Sequence, residues 1–300
     1  MGLKEEPVVF ECNGRRLVGI VHAAGSAATG VLVLVGGPQY RVGSHRQFLL
    51  LARHLAANDV PVMRFDYRGM GDSEGDIRPF EYVTADIRAA INAFFEASPS
   101  LSSVVLWGLC DAASAAAFYA YRDSRVAGLI LLNPWVSTEA GEAKAYLRHY
   151  YLQRLFNKDL WKKLLAGQFQ FKRSLTSLLQ NVKKSHGTPG DSGQQEDALA
   201  EQEQLPLPDR MYLGLVRFQG WVNIIISGDD LTAAEFEDMV KGSKSWQKLL
   251  SAKGVAFFHL PEANHTFSKQ IWRDQVANQT YHWLIDGGAV KSVIQRKADG

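Results

Sequence analysis

The sequence predicts an α/β protein: a mostly parallel central sheet with helices on both faces and an inserted helical cap. Three observations predict it. Short apolar strands alternate with helical patterns up to about residue 132 and again from about residue 222, the alternation of a parallel sheet covered on both sides. Between these stretches, helical patterns run without a convincing strand. At one strand-to-helix junction Gly108 and Ala112 bracket Cys110, a placement of small residues that only a very sharp turn requires.

Each element has a local reason. Val8-Val9-Phe10 and Leu17–Val21 flank Asn13-Gly14, a strong hairpin pair. Val31–Val35 is a continuous apolar run ending at Gly36-Gly37-Pro38, as suits a strand buried on both faces. A helical pattern over about 46–57 precedes a strand over Val60–Phe65, with Pro61 early in it. Thr84–Ala97 has helical spacing, with Ile87, Ile91, Phe94 and Phe95 on one side. Val104–Trp107 reads as a strand, Asp111–Tyr121 as an alanine-rich helix, and Val126–Leu132 as a strand running into Asn133-Pro134-Trp135. The series resumes with a strand over Val222–Ile226, a helix over about Thr232–Leu250, a strand over Val255–Leu260 and a helix over about Ser268–Ile285. Residues 1–137 and 220–300 are expected to form the core. Residues 138–219 are expected to form the cap over the C-terminal edge of the sheet, with a disordered loop near 183–206.

Composition narrows the function classes. The chain has 300 residues, 46% hydrophobic and 21% charged, enough to bury a large core. Lys plus Arg (33) nearly balances Asp plus Glu (31), which argues against a whole-surface attraction to nucleic acid. No apolar run reaches the roughly 18 residues of a membrane span. Two cysteines, Cys12 and Cys110, exclude a disulfide framework. With no apolar signal core near Met1, the expectation is a reducing, cytoplasmic compartment. No His, Cys, Asp or Glu cluster has metal-ligand spacing, and Gly36-Gly37 is neither a dinucleotide nor a P-loop fingerprint, so no cofactor and no metal are expected.

The chemistry gathers at the ends of the strands. Gly108-Leu109-Cys110-Asp111-Ala112 has the spacing of a nucleophile elbow, with a thiol where a hydroxyl is common. A thiol at a helix N-terminus is favoured as thiolate by the helix dipole, and a partner imidazole adds to this. Standing alone, Cys110 would read as a small buried hydrophobe. Its company argues otherwise: Ser227-Gly228-Asp229-Asp230-Leu231-Thr232 follows a late strand, and Pro261-Glu262-Ala263-Asn264-His265 follows the last. Nucleophile, acid and base thus occur in that order, each at a strand's C-terminal end.

On these residues, with Asp66-Tyr67-Arg68-Gly69-Met70-Gly71-Asp72-Ser73-Glu74-Gly75, the chain resembles the α/β-hydrolase superfamily over nearly its whole length. More narrowly, Gly36-Gly37-Pro38 through Phe48, the Gly-Leu-Cys-Asp-Ala-Ala elbow and Ser227–Thr232 resemble the bacterial exosortase A system-associated hydrolases, type one. The resemblance implies Cys110 as nucleophile, His265 as general base and Asp230 as orienting acid, with Asp229 the rival acid. It implies the backbone N–H groups of Gly37 and Asp111 as oxyanion donors; since Pro38 has none, the loop donor is Gly37 or lies elsewhere. The superfamily's His before the oxyanion-loop glycine is absent, and Val35 stands there. In related folds the Asp66–Gly75 turn is braced by an ion pair, which assigns Asp66 and Arg68 to structure rather than catalysis. Arg41, His45 and Trp135 are candidate substrate contacts.

The expected activity is acyl hydrolysis, of esters or thioesters, through a covalent Cys110 acyl-enzyme. Because a thioester yields to water only when the water is well activated, transfer of the acyl group to an amine, alcohol or thiol is the alternative. A hydrolase-fold protein that binds an acyl ligand or a partner without turnover is the second alternative. The substrate is expected to be a small or carrier-bound acyl donor. Residues 144–184 hold ten Lys or Arg and one acid, Asp159, whereas 185–209 hold six acids and no Lys or Arg. Unless that basic run is simply a solvated helix face, it favours anionic donors such as an acyl-coenzyme A. The expected outcome is then a specificity constant for acyl-coenzyme A above that of a neutral thioester with the same acyl chain. The preference should fade from low to high salt as screening shortens the reach of the charge to about 8–10 Å.

Overall fold

A computed structural model describes residues 4–23, 27–37, 39–136, 205–252 and 254–286. The chain divides into two units, Met1–Thr138 with Pro206–Gly300, and Glu139–Leu205. The expected cap, the loop near 183–206 and the basic run Lys144–Lys184 lie outside the described residues, apart from Leu205 onward.

The hairpin comes first. β1 (Lys4–Cys12) and β2 (Arg15–Ala23) pair antiparallel, Cys12 opposite Arg15. Asn13 and Gly14 take φ of 50° and 71°, the left-handed pair that matches the twist of the flanking strands. The rest of the sheet is built from β3 (Thr29–Leu34), β4 (Val62–Phe65), β5 (Ser103–Leu109), β6 (Val126–Leu132), β7 (Trp221–Asp229) and β8 (Val255–Asn264). The order is β1-β2-β4-β3-β5-β6-β7-β8, parallel from β4 onward. β5 and β6 are buried at every residue, which is why they read as unbroken apolar runs.

The helices follow the apolar stripes. α1 (Gln47–Ala57) buries Phe48, Leu51, Ala52 and Leu55, and α2 (Thr84–Ala97) buries Ile87, Ala90, Ile91 and Phe94, both at i, i+3, i+4, i+7 spacing. α3 (Asp111–Tyr119) is buried along almost its whole length, so its sequence is alanine rather than a stripe. α4 (Leu207–Arg217) covers it, and their approach is close: a Cβ on Gly214 would meet the Ala117 carbonyl oxygen at 2.2 Å. Sequence places α4 inside the inserted segment, whereas the structure groups it with the core. The single helix expected over Thr232–Leu250 is two, α5 (Leu231–Lys241) and α6 (Lys244–Leu250). They part where Gly242 ends the first and the Ser243 hydroxyl caps the second. α7 (Gln270–Ile285) closes the described chain.

The turn after β4 differs in its partners from the expected brace. Asp66 and Arg68 do not pair with each other. Asp66, fully buried, accepts from the Arg41 guanidinium and from the Arg41 and Asp72 backbone N–H groups. Arg68 forms a buried two-pronged pair with Asp86 at 2.8 and 2.7 Å. The pattern of a short-range ion pair gives no hint of partners 25 and 18 residues away.

Two glycines separate local strain from crowding. At Gly14 a Cβ would meet nothing within 4 Å, but at Gly108 it would lie 2.6 Å from the Ala112 backbone carbon and oxygen. Gly14→Ala is expected to cost about 1 kcal/mol, from its left-handed backbone alone. Gly108→Ala is expected to cost about 3 kcal/mol, because backbone must move. Urea unfolding of both variants checks this, and equal losses would refute it.

Candidate active site

The junction of β5 and α3 is strained. Cys110 has φ 64° and ψ −125°, a region that costs a non-glycine residue about 1–3 kcal/mol. The surroundings fix it there. Its N–H donates to the Leu132 carbonyl at 2.8 Å, and its own carbonyl accepts from Ala113 at 3.0 Å and Trp135 at 3.3 Å. The turn closes because Gly108 has no Cβ and Ala112 only a small one. The result is a half-buried thiol at the head of α3, on the C-terminal edge of the sheet.

His265 lies just past β8, on a loop that pins itself. The Asn264 side chain accepts from the Ser268 N–H at 3.0 Å and donates to the Ser268 hydroxyl at 2.8 Å. The imidazole Nδ1 donates to Asp230 Oδ2 at 2.9 Å. Asp230 is buried and doubly employed: it caps α5, accepting from Thr232 and Ala233 N–H groups at 3.3 and 3.1 Å. That fixes the carboxylate that meets the histidine. Asp229, its neighbour, is exposed and stands opposite Asn264 in the β7–β8 register. Hydrogen bonds to Asp230 and to Cys110 push the His265 pKa up to about 10, outweighing the burial that works against its charge.

The loop after β3 brings Gly36 and Gly37 to the elbow. Here the Asp111 side chain intervenes. The Gly37 N–H donates to both oxygens of the Asp111 carboxylate at 2.9 Å. Burial pushes the Asp111 carboxyl up, although the N–H groups of Gly37, Ala112 and Asp111 itself, and nearby His265, pull the other way.

The candidate substrate contacts fare differently. Arg41 is tied down: its guanidinium meets Asp66 and Asp72, and its carbonyl accepts from buried Arg64 at 2.8 Å. It braces the turn. His45 is exposed, in a left-handed conformation at φ 54°. Trp135 is half-buried, and its carbonyl accepts from the Ser114 hydroxyl of α3 at 2.6 Å.

Sequence reasoning missed Asn133. Fully buried at φ 42°, it accepts from the Ser227 N–H at 2.9 Å, donates to the Ser227 hydroxyl at 2.7 Å and reaches the His265 carbonyl at 3.3 Å. It ties the ends of β6 and β7 to the histidine loop. The signal was an asparagine, a residue that tolerates left-handed backbone, ending an apolar strand. Among the described residues no group of three or more His, Cys, Asp or Glu is arranged to hold a metal ion. No described helix is long and apolar enough to cross a membrane.

Sheet order and elbow define an α/β-hydrolase. The chain belongs to the serine aminopeptidase S33 family, whose profile matches residues 27–187. The family is named for serine, and this chain carries cysteine at its elbow. Among solved structures it is similar to an esterase of Pyrococcus furiosus, at 14% identity and TM-score 0.63, over 95% of this chain and 93% of that one. It is similar to Est1E from Butyrivibrio proteoclasticus, solved with ferulic acid, at 13% identity and TM-score 0.61, over 93% and 98%. It is also similar to dienelactone hydrolase from Anabaena variabilis, at 13% identity and TM-score 0.60, over 95% and 99%. No curated protein matches its sequence significantly.

The raised His265 pKa carries a stability prediction. A group whose folded-state pKa is raised stabilises fully below its unfolded value, near 6.5, and loses that contribution as pH climbs through about 10. Asp230→Asn weakens the pairing but keeps an acceptor for the cap. The stability difference between wild type and Asp230→Asn is therefore expected to be largest near pH 6 and to narrow toward pH 10 in urea unfolding. A difference that is constant or widens would refute it.

Proposed function

We propose that the protein is an acyl hydrolase, an esterase or thioesterase, acting through Cys110, His265 and Asp230. One observation carries the reading. A single imidazole hydrogen-bonds a cap-fixed carboxylate and is coupled electrostatically to the thiol of a cysteine held at positive φ at the head of a helix. A buried structural cysteine would need neither the strain nor the imidazole.

The steps follow from the atoms. With Nδ1 committed to Asp230, Nε2 takes the thiol proton. Sγ attacks the acyl carbon, a C–S bond forms, and the carbonyl electron pair moves onto oxygen, toward the N–H groups of Asp111 and Gly37. Collapse expels the leaving group, which takes the proton from Nε2. Water then attacks the thioester while Nε2 accepts its proton. The C–S bond breaks and the thiol is restored. Asp230 stays ionised and keeps the ring oriented. Attack by an amine, alcohol or thiol in place of water would make the same intermediate a transferase.

Three measurements test this. Iodoacetamide near neutral pH is expected to alkylate Cys110 well before Cys12, which is buried and whose thiol burial pushes up; equal rates would overturn the reading. Intact-protein mass spectrometry with a panel of activated esters and thioesters is expected to show an acyl adduct on wild type and none on Cys110→Ala. Asp230→Asn should lower turnover roughly 10³–10⁴-fold, with Asp229→Asn nearly silent. The reverse pattern would move the acid by one residue.

A further inference from the structure

The residue directly after the nucleophile is an acid, and its half-buried side chain does more than decorate the first turn of α3. Both Asp111 carboxylate oxygens converge on the Gly37 N–H. The β3 loop is shaped around them: a Cβ on Gly36 would lie 2.5 Å from Asp111 Oδ1 and 2.5 Å from the Leu109 carbonyl oxygen. Only glycine lets the loop come this close. In the resting site the protein's own anion thus holds a donor that a substrate oxyanion would need. Two anions cannot share one small donor set without a large electrostatic penalty.

We infer that Asp111 is a proton-operated element of the oxyanion hole, closing it as a carboxylate and opening it as a neutral acid. This rests on the reading of Cys110 as an acylated nucleophile. When Asp111 takes a proton from solvent, the negative charge leaves the hole and the new O–H becomes a donor that the tetrahedral oxygen accepts. When the proton is lost, the carboxylate reclaims the Gly37 N–H. The groups that act on Asp111 are consistent with a proton residing there. Burial pushes its carboxyl up. His265, whose charge opposes that effect, comes from the loop after β8, and Cys110 directly precedes Asp111 in the chain. Tyr67, after β4, is buried with its hydroxyl lacking a hydrogen-bond partner, and its own pKa is raised first by burial and then by Asp111.

The consequence is a substrate rule. Uncharged acyl groups, whose carbonyl oxygen becomes negative only in the transition state, are accepted as pH falls. Acyl groups carrying a carboxylate beside the carbonyl are rejected by the ionised form.

Asp111→Asn tests the device, because asparagine has the shape of the neutral acid and cannot ionise. Acylation of Cys110 by p-nitrophenyl acetate is followed by nitrophenolate release and adduct mass from pH 5.5 to 8.5, against alkylation by iodoacetamide, which forms no oxyanion. In wild type the ratio of acylation to alkylation is expected to fall as pH rises. Asp111→Asn is expected to flatten that ratio and to acylate roughly tenfold to a hundredfold faster at pH 8.5, with alkylation within a few-fold of wild type. Acylation of wild type with no gain in Asp111→Asn, or with an unchanged slope, overturns the gate and leaves Cys110 as nucleophile. Failure of Cys110 to acylate in either protein while alkylation persists overturns the acyl-enzyme reading and the gate with it. If Asp111→Asn fails to fold, seen as loss of the selective alkylation, Asp111→Ser is measured in its place against the same two outcomes.

Discussion

The structure depends on the close approach of β5 to the start of α3. Gly108 and the Ala112 backbone come within a distance that no side chain at 108 would permit. That contact forces Cys110 to φ 64° and lifts its side chain off the sheet at the head of the helix. Everything else at the edge is arranged to hold this strained residue. The Leu132 carbonyl takes its N–H, Trp135 and Ala113 take its carbonyl, and Asn133, itself at positive φ, joins the neighbouring strand ends to the histidine loop. Strain of this kind persists only where the surroundings over-determine it, and the buried strands β5 and β6 supply that rigidity.

Charge is arranged with similar economy. Asp230 caps a helix and holds an imidazole with the same carboxylate, so the orientation of the base is inherited from α5. Arg41, Asp66, Arg68 and Asp86 are neutralised in pairs beneath the first loops, and buried His22 accepts from Arg64 as a neutral ring, burial having pushed its pKa down to about 4. His265 and Asp111 bring opposite charges to the elbow.

Much of this was legible in the sequence, and the rest was not, for physical reasons. The Asn-Gly hairpin, the apolar runs and the stripes of α1 and α2 are local signals, and the elements stand where those signals put them. The elbow was legible because its small residues answer a steric demand that acts within five positions. Helical spacing says nothing about which body α4 packs on, whereas the close approach of Gly214 to Ala117 does. The break between α5 and α6 hung on one glycine and one serine cap inside a continuous helical pattern. The ion partners of Asp66 and Arg68 are set by topology, so no spacing rule reaches them. Asp111 was read for its N–H, and its side chain was overlooked, because a first-turn acid is ordinarily explained by the helix dipole.

That oversight is instructive about where function resides in such a fold. The tight turn constrains Gly108, Cys110 and Ala112, and the side chain of Asp111 lies outside that constraint. Its backbone N–H is committed by geometry, whereas its side chain is not. The Asp111 carboxyl puts a titratable group on the Gly37 N–H without engaging the side chains of Cys110 or Asp230. On the proposed reading, a thiol nucleophile suits this arrangement better than a hydroxyl. A hydroxyl must be deprotonated during attack, and a neighbouring carboxylate would oppose that step at its barrier. With the thiol proton already on His265, that reading places the cost of the nearby charge on the oxyanion alone, where a single proton on Asp111 would remove it.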